Sequence, residues 1–295
     1  MSKVITVFGA TGAQGGSVVD ALLQHPVFSK EYKIRGTTRD VSKPASQSLA
    51  AKGVEMVAVE LSDRESVSKA IEGSKYVFGL TNFWDPLSLS KEKEIAQGIT
   101  IADACKEAGV DLLIWSSLPY ASKISNGKYK NVLHFDAKAE VENYIRAQNI
   151  PAVFLLVGGY MKNLTMLVQK TDDGKFNLSM PFDYTNQSIA MIHNTTDTGK
   201  FVTSILSKPA QCINRQVYGA SGWCTPEDIC TAFSKVTGKK LNYTQVSDED
   251  FKKIAPEPMG TWIGEAWAYC RDYEYFGPGA RKGVEEALKV SVRVS

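Results

Sequence analysis

Residues 9–15 read Gly-Ala-Thr-Gly-Ala-Gln-Gly, three glycines in the spacing GxxGxxG. A short β-branched run precedes them, and apolar residues at helical spacing follow at Val18, Val19, Leu22 and Leu23. Glycines so placed permit a tight turn, a close approach of backbone to a pyrophosphate, and close packing of helix on strand. The free amides and positive dipole end of the helix that follows suit phosphate. A glycine triplet alone is a weak signal; between a strand and a helix it points to a bound dinucleotide. The end of the second strand then chooses the dinucleotide, an acid favouring NAD and an arginine the 2′-phosphate of NADP. Here the chain reads Thr37-Thr38-Arg39-Asp40. Arg39 can pair bidentately with phosphate, Thr38 can donate to it and Lys43 adds charge. Asp40 opposes this, since an acid aimed at the same place repels phosphate. The balance favours NADP(H) over NAD(H).

Positioning such a loop takes alternating strands and helices. Strands are predicted at 4–8, 32–38, 54–59, 75–80, 112–116 and 152–157, each a short apolar run of the kind found when both sheet faces are covered. Helices are predicted between them at 13–23, 46–52, 64–71, 90–108 and 136–148. Asp63 is placed as an N-cap and Gly109 as a C-terminal stop. Short right-handed crossovers between parallel strands give a doubly wound α/β sheet of Rossmann type, with strand order 3-2-1-4-5-6. Residues 1–157 are expected to form this core, completed by part of 186–220, and 158–295 a smaller lobe. In the lobe a strand is expected at 176–180 and helices at 197–206 and 226–236, the last capped by Thr225 with Pro226 at its first position. Trp223, Trp262 and Trp267 serve either as lobe core or as the wall of a cleft.

The chain has 295 residues, 34 Lys+Arg against 32 Asp+Glu, and 43% hydrophobic residues. This composition excludes a disordered, collagen-like or coiled-coil protein. The near-balanced charge leaves no footprint for direct nucleic-acid binding. Five scattered cysteines without a CxxC pair read as reduced thiols, and His25, His134 and His193 have no ligand spacing, so no metal is expected. The apolar run at the N-terminus is too short for a signal or a membrane span. The expected location is the cytoplasm, with the nucleus left open, and the oligomeric state is not assigned.

Gly9 to Gly16 (GATGAQGG), Thr38-Arg39, Thr81-Asn82-Phe83-Trp84 and His134-Phe135-Asp136-Ala137-Lys138 together resemble the NmrA-like family of atypical short-chain dehydrogenase/reductases. The resemblance runs through about residues 3–210 and thins beyond. Family members include fungal nitrogen-metabolite regulators, a human redox sensor and oxidoreductases of secondary metabolism. The resemblance implies NADP(H) contacts from Gly9, Ala10, Thr11, Gly12, Ala13 and Gln14 to pyrophosphate and ribose, and from Arg39 to the 2′-phosphate. It also implies that Leu61 flanks adenine and that Thr81, Asn82 and Phe83 line the path to the nicotinamide ribose. Tyr160, Met161, Lys162 and Asn163 would close over the nicotinamide. Glu60 stands where relatives have Asp.

His134 and Lys138 occupy the places of the Tyr-x-x-x-Lys pair of short-chain dehydrogenases, where spacing i, i+4 puts both on one helix face. Lys138 is retained and can bind ribose; the tyrosine acid is replaced by His134. A nearby ammonium disfavours protonated imidazole, and neutral imidazole is a poor donor to a developing alkoxide. Ser116, ending the fifth strand, stands where active reductases place a carbonyl-polarising hydroxyl. The candidate catalytic residues are thus Lys138, His134 and Ser116. Two functions follow: a regulator or redox sensor whose conformation or protein partner depends on NADP(H), or an NADPH-dependent reductase of a small carbonyl or quinone. The reductase would draw its proton from Tyr120, Lys138 or water.

Overall fold

A computed structural model describes residues 3–86 and 89–291. Six strands carry the first half: β1 (Lys3–Val7), β2 (Tyr32–Thr38), β3 (Glu55–Ala58), β4 (Ser74–Gly79), β5 (Leu112–Ser117) and β6 (Ala152–Val157). Every neighbouring pair is parallel, in the order β3-β2-β1-β4-β5-β6. The Rossmann-type order read from the sequence therefore holds. A seventh strand, Gln216–Gly219, adds parallel to the free edge of β6. Buried runs such as Leu112–Ser117 and Ala152–Val157 explain why these strands read as continuous apolar segments, since helices cover both faces.

The helices follow their local signals with one consequential shift. Asp63 caps Arg64–Ile71 by accepting from the Glu65 amide, and Ser90 caps Lys91–Glu107 by accepting from Lys93. The helix expected from residue 136 instead spans Leu133–Ala147. Asp136 lies buried in its first turn, accepting from the Ser122 amide. His134 consequently sits inside the helix rather than before it.

Beyond β6 the chain builds two small three-stranded sheets. One joins Gly159–Tyr160, Ile189–Ile192 and Gly222–Cys224; the other joins Val168–Lys170, Phe176–Met180 and Leu241–Gln245. Pro226–Thr237 begins with a capping box between Thr225 and Asp228. The aromatic-rich segment forms the helix Met259–Tyr273, which the sequence reading left without an element. Its tryptophans divide. Trp267 packs in the core on Phe182 and Phe251, whereas Trp262 meets Phe83 and Trp84. The loop at 123–130 is tied down, because Lys128 and Tyr129 both reach Asp272. Among the described residues no helix is long and apolar enough to cross a membrane.

The helix that starts the glycine loop, Ala13–Gln24, is backed by Asp197–Ser207. Contact is closest at Gly199, whose amide donates to Ser17 Oγ at 2.9 Å. A Cβ there would overlap the Ser17 carbonyl and Ala21. Gly199→Ala should therefore destabilise the fold by about 1–3 kcal/mol through overpacking, read as a lower urea midpoint.

Candidate functional site

The C-terminal ends of β1, β2, β4, β5 and β6 open on one cleft of about 570 Å³. In a doubly wound sheet this is where the crossovers diverge and a ligand can enter. Gly9, after β1, has φ +63°, a conformation that suits glycine. The Gly12 amide donates back to the Gly9 carbonyl at 2.8 Å, closing the turn. A Cβ on Gly15 would overlap that same carbonyl, so the close packing of turn and helix requires glycine there. No side chain caps the helix at Gly12, and Gly12 to Gly15 all line the cleft. An uncapped N-terminus of a 12-residue helix facing a cavity is a cradle for an anion.

Of the residues singled out from sequence, the structure brings most to this cleft. Gly9, Thr11, Gly12, Ala13 and Gln14 line its floor, with Arg39 and Leu61 at the β2 end. Thr81, Asn82 and Phe83 line it after β4, Ser116 after β5, and Tyr160 and Asn163 after β6. His134 and Lys138 enter from the helix Leu133–Ala147. Three expected residues do not line it. Ala10 is buried, its amide donating to the Thr37 carbonyl at 3.0 Å. Met161 and Lys162 lie on the 3₁₀ turn Met161–Asn163, of which only Asn163 reaches the cleft.

At the β2 end, Asp40 lines the cleft with its carboxylate held by Ser42. Its Oδ1 accepts from the Ser42 amide at 2.9 Å and the Ser42 hydroxyl at 2.6 Å, bonds that hold its carboxyl below the usual range. The acid that faces Arg39 is Asp85, 46 residues away, with Nη1 to Oδ2 at 2.6 Å.

At the other end, the Ser116 hydroxyl donates to Gln14 Oε1 at 2.9 Å, and Gln14 Nε2 donates to the Tyr160 hydroxyl at 2.6 Å. Burial raises the Tyr160 phenol, with the Gln14 and Asn194 side chains opposing. Lys138 is committed elsewhere. Its Nζ donates to the Thr81 carbonyl at 2.8 Å, Thr81 Oγ1 at 3.0 Å and Glu94 Oε1 at 2.8 Å. An ammonium has three donors, and these acceptors account for all of them. Glu94 is fully buried, and sequence reasoning missed it because nothing in its spacing marks it.

His134 is half-buried, but its Nδ1 is enclosed and has no hydrogen-bond partner. Phe83, Trp84 and Phe135 surround the ring at centroid distances of 5.8, 5.1 and 4.8 Å. Burial first, and the Lys138 charge second, push its pKa down to about 3. The imidazole is neutral at pH 7. Tyr120 offers no alternative acid in the cleft. It does not line it, and its hydroxyl donates to Glu140 at 2.8 Å. Tyr275 does line the cleft, arriving from just beyond the helix Met259–Tyr273, and burial raises its phenol well above the usual value.

A sequence profile described as the NmrA-like family matches residues 1–294. Among curated proteins, the NmrA-like family domain-containing oxidoreductase himF of Aspergillus japonicus is 28% identical, over 97% of this chain and 90% of its own. The similarly described oxidoreductase ptmS of Penicillium ochrochloron is 30% identical, over 83% of this chain and 76% of its own. Among solved structures, the negative transcriptional regulator NmrA in complex with NADP superposes with a TM-score of 0.78 at 22% identity, covering 98% and 91% of the two chains. The NADPH-dependent quinone oxidoreductase QOR2 of Escherichia coli, complexed with NADPH, gives 0.75 at 19% identity and 98% coverage of both. At these identities the structural likeness speaks for the fold.

A histidine whose folded pKa lies near 3, below its ordinary 6.5, takes up its proton in the unfolded chain first. Stability from this residue is therefore complete above about pH 6.5 and lost progressively as pH falls toward 3. Between pH 7 and 5 the wild type should lose on the order of 1–2 kcal/mol more than His134→Phe, read from urea midpoints. Parallel pH profiles for the two proteins would contradict the burial of a neutral imidazole.

Proposed function

Because the chain belongs to the NmrA-like family, we propose that it binds NADP(H) in the cleft and acts as a redox-responsive regulator, its conformation or protein partner depending on the dinucleotide. One observation carries this reading. The cleft gathers the glycine turn, Arg39 and Asn82, while the position of the acid–base tyrosine holds a neutral, aromatic-walled His134 and the neighbouring Lys138 ammonium is bound to Thr81 and Glu94. The residues present fit the group. The uncapped helix at Gly12 suits the pyrophosphate, and Arg39 at the end of β2 suits a 2′-phosphate. Leu61 offers an apolar flank for adenine, and Asn82, Phe83 and Tyr160 reach the far end of the cleft. When bound, NADPH supplies hydride; this chain's own residues bind and orient it, but none of the three candidate catalytic groups is free and protonated to deliver a proton. Regulation then requires a partner or conformation that distinguishes the bound states, since occupancy without differential affinity shifts nothing.

A second reading, an NADPH-dependent oxidoreductase, is favoured by the names of the curated relatives and by Tyr160 and Tyr275, whose rings line the cleft. A small carbonyl or quinone whose reduced form takes its proton from water would need only polarisation. NADPH oxidation against a panel of carbonyls and quinones separates the two. The regulator reading expects tight NADPH binding with consumption at the background rate. It also expects His134→Tyr to stay at the background rate, because Lys138 is bound to Thr81 and Glu94 and cannot lower the pKa of the new phenol. Rapid consumption by the wild type, lost in His134→Ala, would overturn it.

A further inference from the structure

The mouth of the cleft contains an acid and a base that the glycine-loop pattern does not account for. Arg39, just past β2, reaches across to Asp85 in the loop after β4, and both line the cleft. Their exposures differ: the Arg39 side chain is 62% exposed and Asp85 13%. The Asp85 amide donates to the Asn82 carbonyl at 3.2 Å, so the carboxylate is carried on a turn anchored at the end of β4. Asp40, the acid nearest in sequence, is occupied with Ser42.

This arrangement places both kinds of ribose selector at one mouth, one from each side. A guanidinium held by a carboxylate can take a phosphate only by sharing or leaving that carboxylate, which then stands close to a dianion of like sign. A ribose 2′-hydroxyl makes no such demand. It leaves the ion pair intact and can donate to the carboxylate, as it does to the acid of sites that prefer NAD. We propose that Asp85 is a specificity-determining residue for the dinucleotide, restraining the preference for NADP(H) that Arg39 creates and admitting NAD(H). The same loop carries Trp84 against His134 and Trp262.

This proposal rests on the dinucleotide reading of the cleft, and calorimetric titration of NADP and NAD tests each separately. The proteins are the wild type, Asp85→Asn, Asp85→Ser and Arg39→Ala, each checked for an unchanged melting curve. Removing the carboxylate should tighten NADP binding by about 5-fold, the scale of a partly exposed ion pair, with NAD binding unchanged or weaker. The gain should shrink as salt is raised from about 0.05 to 0.5 M. Arg39→Ala should weaken NADP binding by about 10-fold or more and leave NAD nearly unaffected. An NADP-to-NAD affinity ratio that stays the same or falls in both Asp85 variants, while Arg39→Ala still loses NADP, would overturn the role of Asp85 alone. A wild type that binds neither dinucleotide would overturn the reading of the cleft with it.

Discussion

A lysine ammonium brought inside a protein must be matched by acceptors, because an uncompensated buried charge costs several kcal/mol. Lys138, with 11% of its side chain exposed, is matched by Glu94, with none, and by both oxygens of Thr81. These three residues come from different elements. Lys138 lies on the helix Leu133–Ala147, Glu94 on Lys91–Glu107, and Thr81 just past β4. Their hydrogen bonds therefore tie two helices to the mouth of the sheet. They also set the start of the loop that carries Asn82, Phe83, Trp84 and Asp85. The inner cleft takes its shape from that joint. His134, one turn before Lys138, is left with aromatic neighbours and no counter-charge, which is why it stays neutral.

The cleft thus has two ends of different character. Toward β2 it is charged and open, with Arg39 and Asp85 facing one another. Toward β5 it is aromatic and enclosed, with hydroxyls of Ser116 and Tyr160 linked through Gln14. Gln14 belongs to the glycine loop, so the turn that offers its backbone to a phosphate also places a side chain at the inner end. A ligand long enough to span both ends meets the two environments in one bound pose. That suits a dinucleotide, whose phosphates and adenine ribose are polar and whose other ring is flat.

Most of the sheet was legible because its signals are local. Short apolar strands, the glycine turn, the Asp63 cap and the Gly109 stop each depend on a few adjacent residues. Arg39 followed from its place at the end of the second strand, whereas Thr81 and Ser116 were placed by the family resemblance. What escaped the sequence reading is long-range. Glu94 is one acid among several on a charged helix, and only folding shows that it is fully buried beneath Lys138. Asp85 reaches Arg39 across 46 residues, and Tyr275 enters the cleft from the last fifth of the chain. The helix expected from residue 136 begins earlier, at Leu133, next to the buried Val132 and Phe135.

The central claim is that Lys138 acts as a buried joint and not as half of an acid–base pair. The most direct measurement is a double-mutant stability cycle by urea unfolding, with NADPH consumption recorded on the same proteins. Lys138→Met and Glu94→Leu should each cost about 3–5 kcal/mol, because each strands a buried polar partner, and the double variant should recover most of that loss. NADPH consumption should stay at background throughout. A Lys138→Met protein as stable as the wild type, but without an NADPH turnover that the wild type possesses, would contradict the claim.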